Sequence, residues 1–190
     1  MKQELTPNLP GQSDRLATIW SIIEGRKTFP AMIVVTSATR AEDTESIARG
    51  LAQAAHSVGL RTGHLRLAAG DGESGVPAHY AELSIASRGS RREAFDAALA
   101  EWLTMYDVVI IDAGILGFDG LGAHVARVGH GVIVAVCDRR RAVSADRNLV
   151  RLLSDLQTPI IGVVMTARRG KAPNIRLSRD PSRLKAATQY

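Results

Sequence analysis

The chain predicts one doubly wound α/β domain, a mostly parallel sheet with helices on both faces, and three observations carry that prediction. The first is a set of short, continuously apolar runs rich in β-branched residues, "AMIVVT", "DVVII", "GVIVAV" and "PIIGVVMT". Such runs mark strands covered on both sides, because a strand with one wet face would alternate. The second is that the segments between them carry apolar residues at spacings of three and four, the period of an amphipathic helix. The third is the recurrence of strand, loop and helix, since neighbouring parallel strands need a crossover to connect them. A length of 190 residues with 45% hydrophobic content suits a single sizeable core.

Taken in order, residues 1–12 hold two prolines and a glycine and read as an arm. Ser13 opens a helix whose Leu16, Ile19, Trp20 and Ile23 share one side and which stops near Gly25. "AMIVVT" is the first strand. After a polar loop, Ile47, Leu51, Ala54, Ala55 and Val58 form the apolar face of a helix closed by Gly59. "RTGHLRL" is a second strand, weakened by Gly63, and a glycine-rich loop, "AAGDGESGVP", follows it. Ser90 and Glu93 have capping-box spacing ahead of a helix that presents Phe95, Leu99, Trp102 and Leu103. Val108 to Asp112 is a buried strand ending in a carboxylate, at the carboxyl edge where open α/β sheets bind ligands. "GVIVAV", a helix over 143–156 with Leu149, Leu152, Leu153 and Leu156 inward, and "PIIGVVMT" complete the sheet. The expected divisions are an arm at 1–12, the α/β domain at 13–167 and a basic tail at 168–190.

Composition narrows the function classes. The longest apolar runs fall far short of the roughly 20 residues that cross a bilayer, and the first ten residues lack an apolar signal core. The expectation is a cytoplasmic protein, with membrane association through a partner. Cys137 is the single cysteine, so no internal disulfide or CxxC pair exists, and it reads as a small core residue. His56, His64, His79, His124 and His130 show no ligand spacing, and no metal site is expected. The net charge of +5 is local: from Arg168 onward seven Lys or Arg face only Asp180, leaving the body close to neutral. The arginine run in "CDRRRAVSADR" reads as a solvated turn, with contact to an anion as the alternative. The tail reads as a solvated extension; contact with an anionic membrane or with nucleic acid is an alternative, and nucleic acid is disfavoured because only Tyr190 interrupts the tail with an aromatic ring.

The chemistry turns on "TSATRAEDTES", residues 36–46, between the first strand and its helix. A phosphate-cradling loop there needs glycines to let backbone amides wrap the phosphates, a lysine to neutralise them and a hydroxyl to hold magnesium. This loop has neither glycine nor lysine. It resembles, without a gap, the "TSATPGEGKST" loop of the bacterial tyrosine kinases of exopolysaccharide synthesis, relatives of the MinD and ParA ATPases. In that alignment Arg40 replaces proline, Ala41 and Asp43 replace glycines, Thr44 replaces the lysine and Glu45 the magnesium-binding hydroxyl. The resemblance runs from Ser13 to Thr166. "GHLRLAAG" puts Arg66 and Ala68 where the family's "LLIDADLR" has its two aspartates, and "YDVVIIDAGI" matches "YDxVIIDxPP" and keeps Asp112. "GVIVAV" and "TPIIGVVMT" are similar to "DGVLLVV" and "APVLGVVLN", with Thr166 in place of the asparagine that faces the base.

The resemblance implies a P-loop ATPase-like fold with a degenerate nucleotide loop, Ser37, Ala38, Thr39, Arg40, Ala41, Glu42, Asp43, Thr44 and Glu45, and a retained acid, Asp112. A carboxylate about 4 Å from a phosphate costs on the order of 4 kcal/mol at an effective dielectric near 20. With Asp43 and Glu45 both at that position, the expectation is no catalytic residue, no metal and no cofactor, with ATP and magnesium entering only under an alternative reading. Both acids have an ordinary role at the positive end of the helix dipole. Asp112 is expected to be held by loop backbone, Thr36 or Ser37, and Arg66 to pair with Asp112 or Glu42 in the vacant cation position.

In the family, an arginine-bearing segment of the N-terminal helix assembles rings. This chain has Asp14, Ala17 and Trp20 there, which makes Trp20 the candidate interface residue and a homo-oligomer one expectation. The family's terminal tyrosine cluster is reduced to Tyr190. The expected function is a non-catalytic pseudo-ATPase or pseudokinase that binds a protein in exopolysaccharide or capsule biosynthesis and export, the partner being a membrane chain-length regulator or a kinase homologue. The alternative is a nucleotide-binding tyrosine kinase or ATPase with an atypical site.

Overall fold

The structure, a computed structural model, describes residues 12–25, 29–39, 43–67, 81–83, 90–116, 120–137 and 143–166. Outside the described residues lie nearly all of the expected arm, Arg40 to Glu42 of the loop, the glycine-rich segment with Ala68 and His79, the arginine run at 139–141, and the tail with Tyr190. The elements are α1 (Gln12–Glu24), β1 (Ala31–Ser37), α2 (Thr44–Ser57), β2 (Thr62–Arg66), β3 (Ala81–Leu83), α3 (Arg91–Met105), β4 (Val108–Ile115), α4 (Gly120–Val128), β5 (Gly131–Cys137), α5 (Val143–Asp155) and β6 (Ile160–Thr166).

The strands form one sheet in the order β3-β2-β4-β1-β5-β6, and every pairing in it is parallel. Side chains alternate across a strand, so each buried strand feeds two cores. Met32, Val34, Val109, Ile111, Val132 and Val134 point to the side covered by α3, α4 and α5, where Phe95, Trp102, Leu121, Val125, Leu149 and Leu153 meet them. Ile33, Val35, Val108, Ile110, Ile133 and Ala135 point to the opposite side, against Leu16, Ile19, Trp20 and Ile23 of α1 and Ile47 and Leu51 of α2. This is the doubly wound arrangement anticipated from continuous rather than alternating apolarity.

Two elements escaped the sequence reading. β3 has three residues, too short for a period to register. α4, "GLGAHVARV", has nine residues with two glycines, so neither its length nor its helix propensity stands out. Ser90 takes the extended conformation of an N-cap, but its side chain makes no capping hydrogen bond, which corrects the capping-box expectation. Among the described residues no helix is long and apolar enough to cross a membrane.

Trp20 is also corrected. It is 1% exposed, sits in the core beneath α1 and stacks on Phe29 with ring centroids 6.3 Å apart. Its spacing with Leu16, Ile19 and Ile23 turns it toward the sheet, and the side of α1 that a partner would meet carries Ala17, Thr18 and Ser21. Gly50 makes the close approach of α1 to α2 workable, because a Cβ there would run into the Leu16 side chain.

Trp20→Ala is therefore expected to lower unfolding free energy by about 3–5 kcal/mol, the range for emptying a large aromatic site. Urea denaturation checks this. A variant of unchanged stability that has lost self-association would return Trp20 to an interface.

Candidate functional site

The strand order reverses direction about β1: the chain leaves β1 toward β2 on one side and later crosses from β4 to β5 on the other. In open α/β sheets the crevice outside the carboxyl ends of the strands at such a point is where ligands bind. The groups at this edge are the ends of β1, β2 and β4 and the first turn of α2.

β4 is irregular there. Val35 pairs with Asp112, but Thr36 pairs with Gly114, so Ala113 is passed over in a bulge. Gly114 has φ +57°, a left-handed conformation that glycine adopts without steric penalty. The bend lets the Gly114 N–H donate to Asp112 Oδ1 at 2.9 Å, and Thr44 at the start of α2 supplies a side-chain hydrogen bond to the same carboxylate. Asp112 is 2% exposed. Burial pushes its pKa above the usual carboxylate range, Glu45 adds to the rise, and the bonds from Thr44 and Gly114 and the charge of Arg66 oppose it. The expected partners Thr36 and Ser37 are engaged elsewhere: Thr36 Oγ1 donates to the Gly114 carbonyl and Ser37 Oγ to the Thr39 carbonyl, each at 2.9 Å.

The first turn of α2 carries two acids with different duties. Asp43 caps the helix, Oδ1 accepting from the Ser46 N–H at 3.0 Å and Oδ2 from the Ser46 hydroxyl at 2.6 Å. Glu45 is held from two sides, by Arg49 Nη2 at 3.0 Å on Oε1 and by Arg66 Nη1 at 3.2 Å on Oε2. Arg66 stands opposite Asp112 in the β2–β4 register, yet its ion pair is with Glu45, which corrects the expected pairing with Asp112. Two guanidiniums now offset the Glu45 charge, so the picture of two uncompensated acids repelling phosphate does not hold for Glu45. Arg49 was missed in the sequence, although its position four residues after Glu45 on a helix is the spacing of a stabilising pair.

His64 lies on β2 between these cations and is 4% exposed. Burial, then the charges of Arg49 and Arg66, lower its pKa from 6.5 to about 4. Away from this edge, His124 Nε2 on α4 lies 2.6 Å from Asp96 Oδ1 on α3, and the ring meets Phe95 edge-on, tying the two helices together. Among the described residues no group of three or more His, Cys, Asp or Glu side chains is placed to hold a metal ion.

No protein-family model matches this chain, and no curated protein is similar to it in sequence. Solved structures do share its fold. The chimerical protein CapA2B2 superposes with a TM-score of 0.68 at 19% identity, covering 90% of this chain and 88% of its own. The BceF tyrosine kinase domain gives 0.63 at 14%, covering 80% and 76%. A ParA family ATPase from Chlorobium tepidum TLS gives 0.60 at 13%, covering 83% and 80%. The neighbours are the kinase and ATPase folds that the sequence resembles, and at these identities the likeness is one of fold.

The same comparisons correct the expectation of no cofactor. FlhF, solved in complex with GMPPNP and Mg²⁺, shares the fold at a TM-score of 0.51 and 12% identity, and the ParA family protein is an ATPase. Substitutions in one loop are no ground for excluding a magnesium nucleotide from this architecture. At the start of α2, Thr44 and Glu45 are both bonded to neighbours within the protein.

The depressed pKa of His64 has a thermodynamic sign. The unfolded chain takes up a proton near pH 6.5 that the folded protein resists until about pH 4. Stability is therefore lost as pH falls through that window, on the order of 3 kcal/mol at 1.36 kcal/mol per unit. Asp112 acts in the opposite sense, because its raised pKa favours the folded form on acidification. Denaturation at pH 7, 5.5 and 4 is expected to show the loss in the wild type and a flatter profile in His64→Gln.

Proposed function

We propose that this protein is a non-catalytic P-loop-type partner in exopolysaccharide or capsule assembly, a pseudo-ATPase or pseudokinase that acts by binding another protein. The observation that carries the reading is the start of α2. Thr44 bonds Asp112 and Glu45 is shared between Arg49 and Arg66, so the two places that would grip and activate a triphosphate serve internal contacts. Phosphoryl transfer depends on positioned cations and a metal-holding hydroxyl at that point, and positioning is most of its catalysis. The pathway rests on resemblance to the exopolysaccharide tyrosine kinases and on the shared fold with the BceF tyrosine kinase domain. Fold alone does not carry chemistry, and the site argues against turnover.

In this reading residues 13–167 form the interacting domain, flanked by the arm at 1–12 and the basic tail at 168–190. The partner is a membrane chain-length regulator or an active kinase homologue, which would bring the protein to the membrane. The solvent side of α1, with Ala17, Thr18 and Ser21, is the surface offered.

A second reading, a kinase or ATPase with an atypical site, is favoured by one feature. Asp112 stands buried in β4, just before the bulge toward its carboxyl end, in a fold that holds GMPPNP and Mg²⁺ in FlhF. Phosphate release from ATP with magnesium decides between them, measured on the wild type beside Asp112→Asn. The expected result is equal, background release from both, with no phosphate on Tyr190. Release that needs Asp112, or labelled Tyr190, would establish the enzyme instead.

A further inference from the structure

We propose that Glu45 is a built-in anion: its carboxylate fills a seat that Arg49 and Arg66 together offer to phosphate-type anions, so this edge of the sheet is self-occluded. The two cations reach it from different elements. Arg66 is carried to the carboxyl edge by the β2–β4 register, opposite Asp112, and Arg49 by one helical turn from Glu45. Each takes a different carboxylate oxygen, Arg49 on Oε1 at 3.0 Å and Arg66 on Oε2 at 3.2 Å. Two guanidiniums converging on separate oxygens of one anion is also the way arginines hold phosphate.

Neighbouring groups leave this seat to Glu45. Asp112, which faces Arg66 across the β2–β4 register among the described residues, has its hydrogen bonds with Gly114 and Thr44. The helix N-terminus is not the attraction, because the Asp43 side chain already accepts from the Ser46 amide. The lock is also open to exchange. The side chains of Arg49, Glu45 and Arg66 are 25%, 32% and 41% exposed, and bridges of that exposure are weak enough for a competing anion to displace. Glu45 therefore acts as the residue that sets how tightly a phosphate-type anion is held here, with Arg66 as the cation it masks.

The inference goes beyond the proposed function and does not depend on it, since anion affinity and turnover are read in separate experiments. Inorganic pyrophosphate is titrated calorimetrically into the full-length wild type, Glu45→Gln and the double variant Glu45→Gln/Arg66→Ala, at low and at physiological salt, with melting curves to verify folding. Glu45→Gln keeps the size of the side chain and removes its charge. It is expected to bind pyrophosphate about tenfold tighter than the wild type, a gain equivalent to freeing one or two such bridges. The double variant is expected to lose that gain. Should Glu45→Gln fail to fold, Glu45→Ser makes the same comparison. Equal affinity in the wild type and the single variant overturns the proposal, and so does a gain that survives removal of Arg66.

Discussion

The register between β1 and β4 decides where the charged groups of this molecule can go. Along most of its length the pair runs one residue against one, and then Thr36 skips Ala113 to meet Gly114. Because successive side chains face opposite sides, Val108 and Ile110 lie toward α2, and Asp112 follows them to that side at the strand's end. A slip of one residue would turn the carboxylate toward the apolar cluster under α3, α4 and α5, where an unpaired charge costs several kcal/mol. The bulge bends the strand just where the carboxylate needs a donor, and the Gly114 amide provides it.

Once Asp112 is fixed, the rest of the edge follows by short steps. β2 pairs with β4 in a register that puts Arg66 beside it, and α2 begins with Thr44 against the same carboxylate. Glu45 is the next residue of that helix, so it is brought within reach of Arg66 from the strand and Arg49 from the following turn. The outcome is a small, locally balanced network of two acids and two arginines. It differs from the uncompensated acidic loop suggested by the order of residues, and the difference lies entirely in which groups the fold brings together.

This balance bears on how fold and chemistry are related. The chain shares its architecture with a tyrosine kinase domain and an ATPase, and such sheets use the carboxyl edge of their strands for ligands. Here the described side chains Glu45, Arg49 and Arg66 at that edge pair with one another. A scaffold of this kind is held mainly by two apolar cores drawn from the strands and helices, to which the loop adds Ala38 and the Asp43 cap. Activity, in contrast, needs specific atoms at specific places.

The sequence by itself determined the class of fold and most of its elements. Uninterrupted Val, Ile and Ala runs can be satisfied only between two apolar layers, and the helical faces of Leu16 to Ile23, Ile47 to Ala55 and Leu149 to Leu156 supply those layers. It also placed Asp112 on a buried strand and Asp43 and Glu45 at a helix start, because those signals are local, but it ended that strand at Asp112 where β4 runs on through a bulge to Ile115. The spacing of Trp20 with Leu16, Ile19 and Ile23 already put it on the buried side of α1. Tertiary structure alone decided that Thr44 rather than Thr36 or Ser37 holds Asp112, and that Arg66 turns to Glu45. Each of these depends on strand register or on a one-residue bulge. Such contacts join residues on different elements, and no spacing along the chain encodes which of several nearby partners a side chain will reach.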